Sequence, residues 1–253
     1  MPKHLGPAYG SQWQDRSMAA AYHHRSAYPT LVFDVLKRLA KPGPVLEIGA
    51  GTGDATLELA WRFERVDAVE PSGEMLRVAQ RRTGRNIRWI HASFEEAQLS
   101  RPYGLAVAAE SLHWTDWETS LPKIDDAVVP GAYLALLDRS YATPPWSREL
   151  GQALYRYSTN QDFEPYDLVE ELRERRLYRV IGAMSSLPVQ VLMPVEDYIE
   201  SFHSRNGLSR ERMPEEHAAA FDQAVRGMVQ PHLRDGFVPL KAYTQLTWGR
   251  PMP

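Results

Sequence analysis

Short apolar runs alternate with one-sided amphipathic segments over the first 140 residues of the chain. The runs lie at residues 45–48, 66–70, 87–91, 105–109 and 132–138. Before them, residues 28–40 carry leucines and valines at helical spacing, and this segment ends at a Lys-Pro-Gly-Pro break. Strands that are apolar on both faces and alternate with helices are typical of a parallel sheet covered by helices. The pattern therefore predicts an α/β fold.

The regular alternation of apolar runs and amphipathic segments ends at Ser140. The remaining pattern predicts two polar helices with aromatic residues, a strand, two more helices and a closing strand. These predicted elements lie at residues 143–161, 164–178, 185–193, 195–204, 214–230 and 242–248. The second part is therefore expected to add a cap and the last two strands to the same sheet.

Composition and charge limit the class of protein. The chain of 253 residues has a formal net charge of −3 and no cysteine. The weak negative charge gives no general attraction to nucleic acid, and the lack of cysteine excludes disulfides, thiolate metal sites and cysteine nucleophiles. No apolar run approaches the roughly 18 residues that a membrane span needs, and the N-terminus shows no signal-peptide pattern. We expect a cytoplasmic protein that does not bind a membrane, and nucleic acid is only a minor hypothesis for its partner.

The stretch VLEIGAGTGDATLELA, residues 45–60, combines a strand, a glycine-rich turn and a helix start, an arrangement that is typical of nucleotide sites. A dinucleotide loop requires the spacing G-x-G-x-x-G, but Thr52 and Thr56 occupy the two positions where the third glycine would stand. No Gly-Lys-Ser/Thr follows either, so a P-loop is excluded. What remains is E-x-G-x-G-x-G, from Glu47 to Gly53.

Two carboxylates accompany these glycines. Glu47 stands just before the loop, where an acidic group suits a cationic amino-acid moiety better than a pyrophosphate. Glu70 ends the second predicted strand, 17 positions after Gly53, where a carboxylate can accept both hydroxyls of a ribose. Together they favour a nucleoside ligand without phosphates.

This pattern resembles the first motif of the class I S-adenosylmethionine-dependent methyltransferases, in a small-molecule branch of the family. HASFEEAQL (91–99) is similar to the adenine-binding loop, and AESLHWTDW (109–117) to the His-Trp segment after the fourth strand. The resemblance implies a Rossmann-like, mostly parallel seven-stranded sheet with helices on both faces. It also implies S-adenosylmethionine as cofactor, bound by Glu47, Gly49, Ala50, Gly51, Gly53, Glu70, Pro71, Ser93, Phe94 and Glu110.

With this resemblance, the chain is expected to divide into four parts of one domain. They are an N-terminal helical lid over residues 1–44, a cofactor-binding α/β core over 45–140, a helical insert or cap over 141–182, and closing strands and helices over 183–253.

Further residues are candidates for the substrate site and the lid. Tyr22 resembles a position that closes over the cofactor in relatives, and Arg25 and Tyr28 match an Arg-Pro-x-Tyr-Pro pattern. The adjacent His23 and His24 point apart on a helix, so no metal site is predicted there. The expected substrate and lid residues are Tyr22, Arg25, Tyr28, Trp114 and His203.

His113 is the candidate catalytic residue, and two interpretations of it stay open. An imidazole with a pKa near 6.5 at the ligand-binding edge could act as a general base toward a hydroxyl acceptor. If the acceptor needs no deprotonation, His113 is instead a wall residue packed with Trp114.

The expected function is transfer of a methyl group from S-adenosylmethionine to a small molecule, mainly by proximity and orientation. Alternatives are a non-methylating enzyme that uses the same cofactor for cyclisation, rearrangement or decarboxylation, a binding protein without turnover, and an RNA methyltransferase. The sequence leaves the acceptor, the atom methylated and the oligomeric state open.

Overall fold

A mixed β-sheet forms the centre of the protein. The computed structural model describes residues 9–82, 84–100, 102–162, 164 and 166–252. Within these residues the strands are β1 (Val45–Ile48), β2 (Val66–Glu70), β3 (Ile87–His91), β4 (Leu105–Ala109), β5 (Leu134–Tyr141), β6 (Tyr178–Ser185), β7 (Val189–Pro194) and β8 (Phe237–Pro251).

The strand order is β3-β2-β1-β4-β5-β8-β6, with β7 also paired to β8. The first five strands are parallel, and β8 runs antiparallel to β5. The Rossmann-like fold class is confirmed. The described sheet nevertheless has eight strands instead of seven, because the long β8 pairs with β6 along 245–251 and with β7 along 237–242.

The strand that the sequence pattern missed is β6. A helix was predicted through residue 178, but the helix of this segment ends at Glu174. Arg176 has a left-handed φ of +60°, and the Leu177 N–H donates to the Leu172 carbonyl at 2.9 Å. This is the hydrogen-bond pattern of a helix stop, and it releases the chain into β6.

Nine α-helices surround the sheet in the described part of the chain. They are α1 (Arg16–Ala21), α2 (Leu31–Leu39), α3 (Asp54–Arg62), α4 (Gly73–Ala79), α5 (Trp117–Ala127), α6 (Ser147–Tyr157), α7 (Leu168–Glu174), α8 (Val195–His203) and α9 (Glu215–Val229).

The helices cover both faces of the sheet, as strands buried on both faces require. On one face, Leu46 and its same-side neighbours pack against α5 and α7. On the other face, Val45 and its neighbours pack against α2 and α3. Because successive residues of β1 point to opposite faces, its apolar run supplies both cores at once.

A third apolar cluster holds the C-terminal helices together. It includes Trp146, Tyr198, Phe202 and Phe221, and thus joins α6, α8 and α9. The Trp146 indole N–H donates to the Tyr198 hydroxyl at 3.0 Å, which satisfies a polar group inside this cluster. The four-part division of the chain stays a prediction, and its residues 1–8 and 253 lie outside the described residues.

Neither a membrane-spanning helix nor a metal-binding cluster is found in the described residues. Their helices are too short or too polar to cross a bilayer. Their histidine and acidic side chains form no group of three or more suited to a metal ion.

Candidate cofactor and substrate site

The glycine loop borders a cavity of about 250 Å³ at the carboxyl ends of β1, β2 and β4. Gly49, Gly51 and Gly53 all have left-handed φ angles, of +70°, +57° and +88°. A Cβ at Gly49 would lie 2.5 Å from the Ser111 Cβ, and a Cβ at Gly51 would face the Tyr22 hydroxyl at 3.7 Å. The backbone angles therefore favour glycine at these positions, and at Gly49 the available space demands it as well.

Glu70 ends β2 and lines this cavity. Its two carboxylate oxygens accept the Gly51 N–H at 2.7 Å and the Ser72 N–H at 2.8 Å. Burial raises the pKa of Glu70 to about 7, although these two hydrogen bonds work against the rise. Each carboxylate oxygen can accept more than one hydrogen bond, so capacity for ligand hydroxyls remains.

Glu47 lies behind the loop instead of in the cavity. It is only 1% exposed, and burial raises its pKa to about 8, so that it is mainly protonated at neutral pH. Its Oε2 has no hydrogen-bond partner among the described residues. The expected attraction of Glu47 for a cationic moiety therefore loses its electrostatic basis. Ala50 and Gly53 likewise stand outside the set of described residues that lines this cavity.

Ser93 and Phe94, in the loop after β3, line the cavity. Pro71, which follows β2, lines it as well. Phe94 is 3% exposed and also packs into the core on the α5 face. The next residue, Glu95, accepts the Asp116 N–H at 2.8 Å and thereby links this loop to the start of α5. The structure thus brings these predicted residues together with the glycine loop and Glu70.

An aromatic group closes over the cavity from the N-terminal segment. The Trp13 ring lies 5.5 Å from Trp114 and 6.2 Å from Tyr22, centroid to centroid. The Trp13 indole Nε1 is buried without a hydrogen-bond partner in the described residues, so it could donate to a ligand. No motif surrounds Trp13 in the segment before α1, so its place in the site was not predicted from the sequence.

The same N-terminal segment is held against the loop after α8. Asp15 accepts two hydrogen bonds from Arg212, at 2.6 and 2.9 Å, and one from Ser209 at 2.7 Å. Arg25 Nε donates to the Ser204 hydroxyl at 2.8 Å. These contacts join the N-terminal segment to residues 204–212.

Glu110 follows β4 with a left-handed φ of +55°. Its carboxylate accepts hydrogen bonds from the Tyr28 hydroxyl at 2.7 Å and from Arg139 at 2.9 Å, and Arg25 lies 3.9 Å away. Burial would raise the pKa of Glu110, but the two arginines outweigh this effect and hold the pKa at about 2. The predicted residues Arg25, Tyr28 and Glu110 thus meet in one charged cluster around Arg139, which the sequence analysis did not identify.

A second, larger cavity of about 940 Å³ adjoins the first. Glu110, Ser111 and Trp114 line both cavities. The wall of the large cavity comes mainly from β5 and from the helical segment with α6 and α7, and it includes Leu136, Leu137, Leu154, Tyr155, Leu168 and Val169.

His113 lines the large cavity and packs on Trp114 with ring centroids 4.6 Å apart. Burial lowers the pKa of His113 to about 4, so the ring is neutral at pH 7. The expected pKa near 6.5 is therefore corrected, and the reason is loss of solvent around the ring. A neutral imidazole can still accept or donate a hydrogen bond, but it is a weak base.

His203 lies away from the cavity linings of the described residues. Its Nδ1 is 2.8 Å from the Leu208 carbonyl and its Nε2 is 2.7 Å from Asp222. Both ring nitrogens are thus engaged within the fold, and the ring packs at 5.6 Å from Phe221. The structure therefore does not bring His203 together with the other predicted substrate residues.

Comparison with known proteins places this site in context. Residues 45–131 match the model of a family described as "Methyltransferase domain". An uncharacterized methyltransferase of Staphylococcus carnosus is 30% identical over 145 residues, which cover 55% of this chain and 66% of that protein. A protein of Saccharomyces cerevisiae assigned as an S-adenosylmethionine-dependent methyltransferase is 25% identical, covering 65% of this chain and 60% of its own length. The chain thus spans less than two thirds of these curated relatives.

Solved structures share the fold. A protein of Anaeromyxobacter dehalogenans assigned to the type II methyltransferases aligns with a TM-score of 0.64 and 23% identity, covering 89% of this chain and 97% of that chain. A Geobacter sulfurreducens S-adenosylmethionine-dependent methyltransferase, solved with S-adenosylhomocysteine, aligns with a TM-score of 0.53 and 15% identity, covering 94% and 98% of the two chains.

Proposed function

Because this chain belongs to the class I S-adenosylmethionine-dependent methyltransferases, we propose that it transfers a methyl group from S-adenosylmethionine to a small-molecule acceptor. The observation that carries the proposal is the pair of adjoining cavities that share Glu110, Ser111 and Trp114. A two-substrate reaction needs two chambers that open onto a common boundary, where the reacting atoms can be held in line.

The small cavity fits the cofactor of this family. It offers a glycine backbone that a ligand can approach closely, the Glu70 carboxylate for hydroxyl groups and the unpartnered Trp13 Nε1 as a donor. Glu70, Gly51, Phe94 and Trp13 are the residues that would hold it. When bound, S-adenosylmethionine supplies a methyl group that is already activated by the positive sulfonium centre.

The large cavity suits a small acceptor. Its walls are formed by β5 together with α6 and α7, and they are mainly aliphatic and aromatic, which favours exclusion of water from the reaction. The net charge of −3 gives no support to an RNA acceptor. His113, neutral at pH 7, would orient the acceptor by a hydrogen bond more effectively than it would remove a proton.

Binding measurements test the first half of the proposal. In calorimetry we expect S-adenosylmethionine and S-adenosylhomocysteine to bind, and NAD and ATP not to bind, because the third dinucleotide glycine and the P-loop lysine are missing.

Glu70→Ala should weaken binding of S-adenosylmethionine by about 1–3 kcal/mol, the range for hydrogen bonds to a charged group. Glu74→Ala, on α4 outside both linings, is the matched control and should bind normally. Tight NAD binding without binding of the sulfonium cofactor would refute the assignment.

Turnover tests the second half. Protein incubated with S-adenosylmethionine and a metabolite extract should produce S-adenosylhomocysteine together with a product heavier by one methylene group, both detected by mass spectrometry. A new product without S-adenosylhomocysteine would instead support the non-methylating alternative.

A further inference from the structure

Arg205 lies just after α8, and its side chain lines the large cavity. The guanidinium lies over the Phe202 ring, 4.6 Å from the ring centroid. Burial lowers the pKa of Arg205, and the nearby positive charge of Arg25 lowers it further. The side chain is thus a cation in a desolvated setting beside a second cation.

No hydrogen bond or ion pair engages the Arg205 side chain within the part of the chain that the structure describes. Its neighbours differ in this respect. Arg25 donates to Ser204 and to the Tyr22 hydroxyl, at 2.8 and 3.2 Å, and Arg139 donates to Glu110 at 2.9 Å. Arg205 is partly buried, and a guanidinium withdrawn from solvent usually has an acceptor for its five N–H groups. Its side chain is therefore available to a ligand in this cavity.

Four carboxylates belong to the cavity lining, of which two are paired with arginines and two accept hydrogen bonds from neutral groups. Glu110 pairs with Arg139 at 2.9 Å, and Glu170 pairs with Arg173 at 2.7 Å. Asp167 caps α7 by accepting the Glu170 N–H at 3.0 Å, and Asp138 accepts the Ser140 hydroxyl at 2.9 Å. None of the four is paired with Arg205, so its positive charge is not neutralised by a salt bridge in the described lining.

The cavity that Arg205 lines has apolar residues beside polar ones such as Asn160 and Asn206. Leu154, Tyr155 and Leu168 belong to the same lining as Arg205. A large cavity with apolar walls at Leu154, Tyr155 and Leu168 and one guanidinium without a salt bridge complements a largely apolar molecule that carries one negative charge.

We propose that Arg205 binds a carboxylate group of the acceptor, so that the acceptor is an apolar or aromatic carboxylic acid. This inference rests on the proposed function, because it takes the large cavity as the acceptor chamber. A carboxylate is favoured over a phosphate monoester, since one guanidinium matches the single charge and planar shape of a carboxylate.

The experiment compares carboxylates with their neutral amides. The probes are benzoate, naphthoate and decanoate, each beside its primary amide, with naphthyl phosphate as a further arm. Binding is measured by calorimetry on the full chain saturated with S-adenosylhomocysteine. The variants are Arg205→Met, Arg205→Lys and, as matched control, Arg148→Met, which removes an exposed arginine of α6 outside the cavity lining.

At least one carboxylate should bind wild type about tenfold more tightly than its amide, as expected for a charge-assisted hydrogen bond. Arg205→Met should abolish this preference, Arg205→Lys should keep part of it, and Arg148→Met should keep all of it. Affinity for S-adenosylhomocysteine should be unchanged in the three variants, which also shows that they fold.

Three results would overturn the proposal: no carboxylate preference in wild type, a preference that survives in Arg205→Met, or an Arg205-dependent preference for naphthyl phosphate over naphthoate. Failure of the proposed function gives a different result, because wild type would then not bind S-adenosylhomocysteine at all. In that case the amide comparison is made on the protein alone and still tests Arg205.

Discussion

Glu70 in the small cavity and Glu110 at its boundary with the large cavity are both buried carboxylates at the carboxyl ends of parallel strands, yet their pKa values move in opposite directions. Glu70 accepts only backbone N–H groups, and burial raises its pKa to about 7. At Glu110 burial acts in the same direction, but Arg139 and Arg25 hold the pKa at about 2. Backbone dipoles thus leave a carboxylate responsive to its ligand, whereas full opposite charges fix it as an anion.

The strongest way to break this contrast is to remove the cation beside Glu110. Arg139→Met would leave a buried carboxylate without its main partner, because the Arg139 side chain is 3% exposed and donates to Glu110 at 2.9 Å. We expect a loss of about 3–5 kcal/mol in the free energy of unfolding. Urea unfolding measures this. Restoration of stability in Arg139→Met combined with Glu110→Gln would confirm the electrostatic cause, and a single variant as stable as wild type would contradict it.

The pH dependence of stability tests the buried carboxylates whose pKa is raised, Glu47 and Glu70. Glu47 titrates at about 8 in the folded protein against 4.5 as its ordinary value, so between these pH values the folded state holds a proton that the unfolded state has lost. Stability contributed in this way is full below pH 4.5 and is lost as the pH rises to 8, by about 1.4 kcal/mol for each pH unit.

Glu47→Gln removes the titrating group, so its unfolding free energy should fall less steeply than that of wild type between pH 5 and 8. Glu70 should still contribute below pH 7 in both proteins, because its own pKa is raised to about 7. Parallel curves for the two proteins would show that Glu47 is already ionised in the folded state.

Gly51→Val tests whether the small cavity depends on backbone geometry. The φ of +57° disfavours a β-branched residue, and the new side chain would point toward Tyr22 across the space intended for the ligand. Cofactor affinity should fall about a hundredfold, since the loop would relieve a backbone strain of about 1–3 kcal/mol by leaving the geometry that binds the ligand. Calorimetry measures the affinity, and Gly227→Val, on α9 outside both cavity linings and with nothing within 4 Å of an added Cβ, is the control. Normal binding by Gly51→Val would mean that the ligand lies elsewhere.

The smallest effect is expected at His113. Because its pKa is lowered to about 4, the ring is already neutral between pH 6 and 9 and should produce no inflection in kcat over that range. His113→Gln keeps hydrogen bonding and should lower kcat by about tenfold or less, below the usual 10²–10⁴ of general-base catalysis. A larger loss, or an inflection near pH 6.5 that the variant abolishes, would restore the general-base interpretation.

Most residues that line the small cavity could be predicted from the sequence, because they belong to short motifs at the ends of predicted strands. Gly49, Gly51 and Glu70 sit at strand ends, and parallel strands that are neighbours in the sheet bring such ends to one edge. Glu47 shows where this reasoning stops. Its position before the loop was read correctly from the sequence, but which way its side chain points depends on the register of β1 within the sheet.

Far fewer of the functional residues in and around the large cavity could be predicted from the sequence. Arg205 stands in no motif, and Arg139 lies within an apolar strand, so neither residue signals a role by its local pattern. His203 was expected to face the substrate, yet it is held by Leu208 and Asp222 within the fold. A histidine's environment is set by whichever elements pack against it, and residue 222 lies 19 positions away along the chain.

By itself, then, the sequence determined the alternation of strands and helices up to β5, the glycine loop and the nature of its ligand, since hydrophobic period and backbone requirements act over a few neighbouring residues. Only the tertiary structure decided which charges are paired, how far each pKa moves and which side chains share a cavity. Those properties depend on burial and on distances of a few ångströms between residues far apart in the chain, as with Glu110 just after β4, Arg139 on β5 and Arg205 after α8.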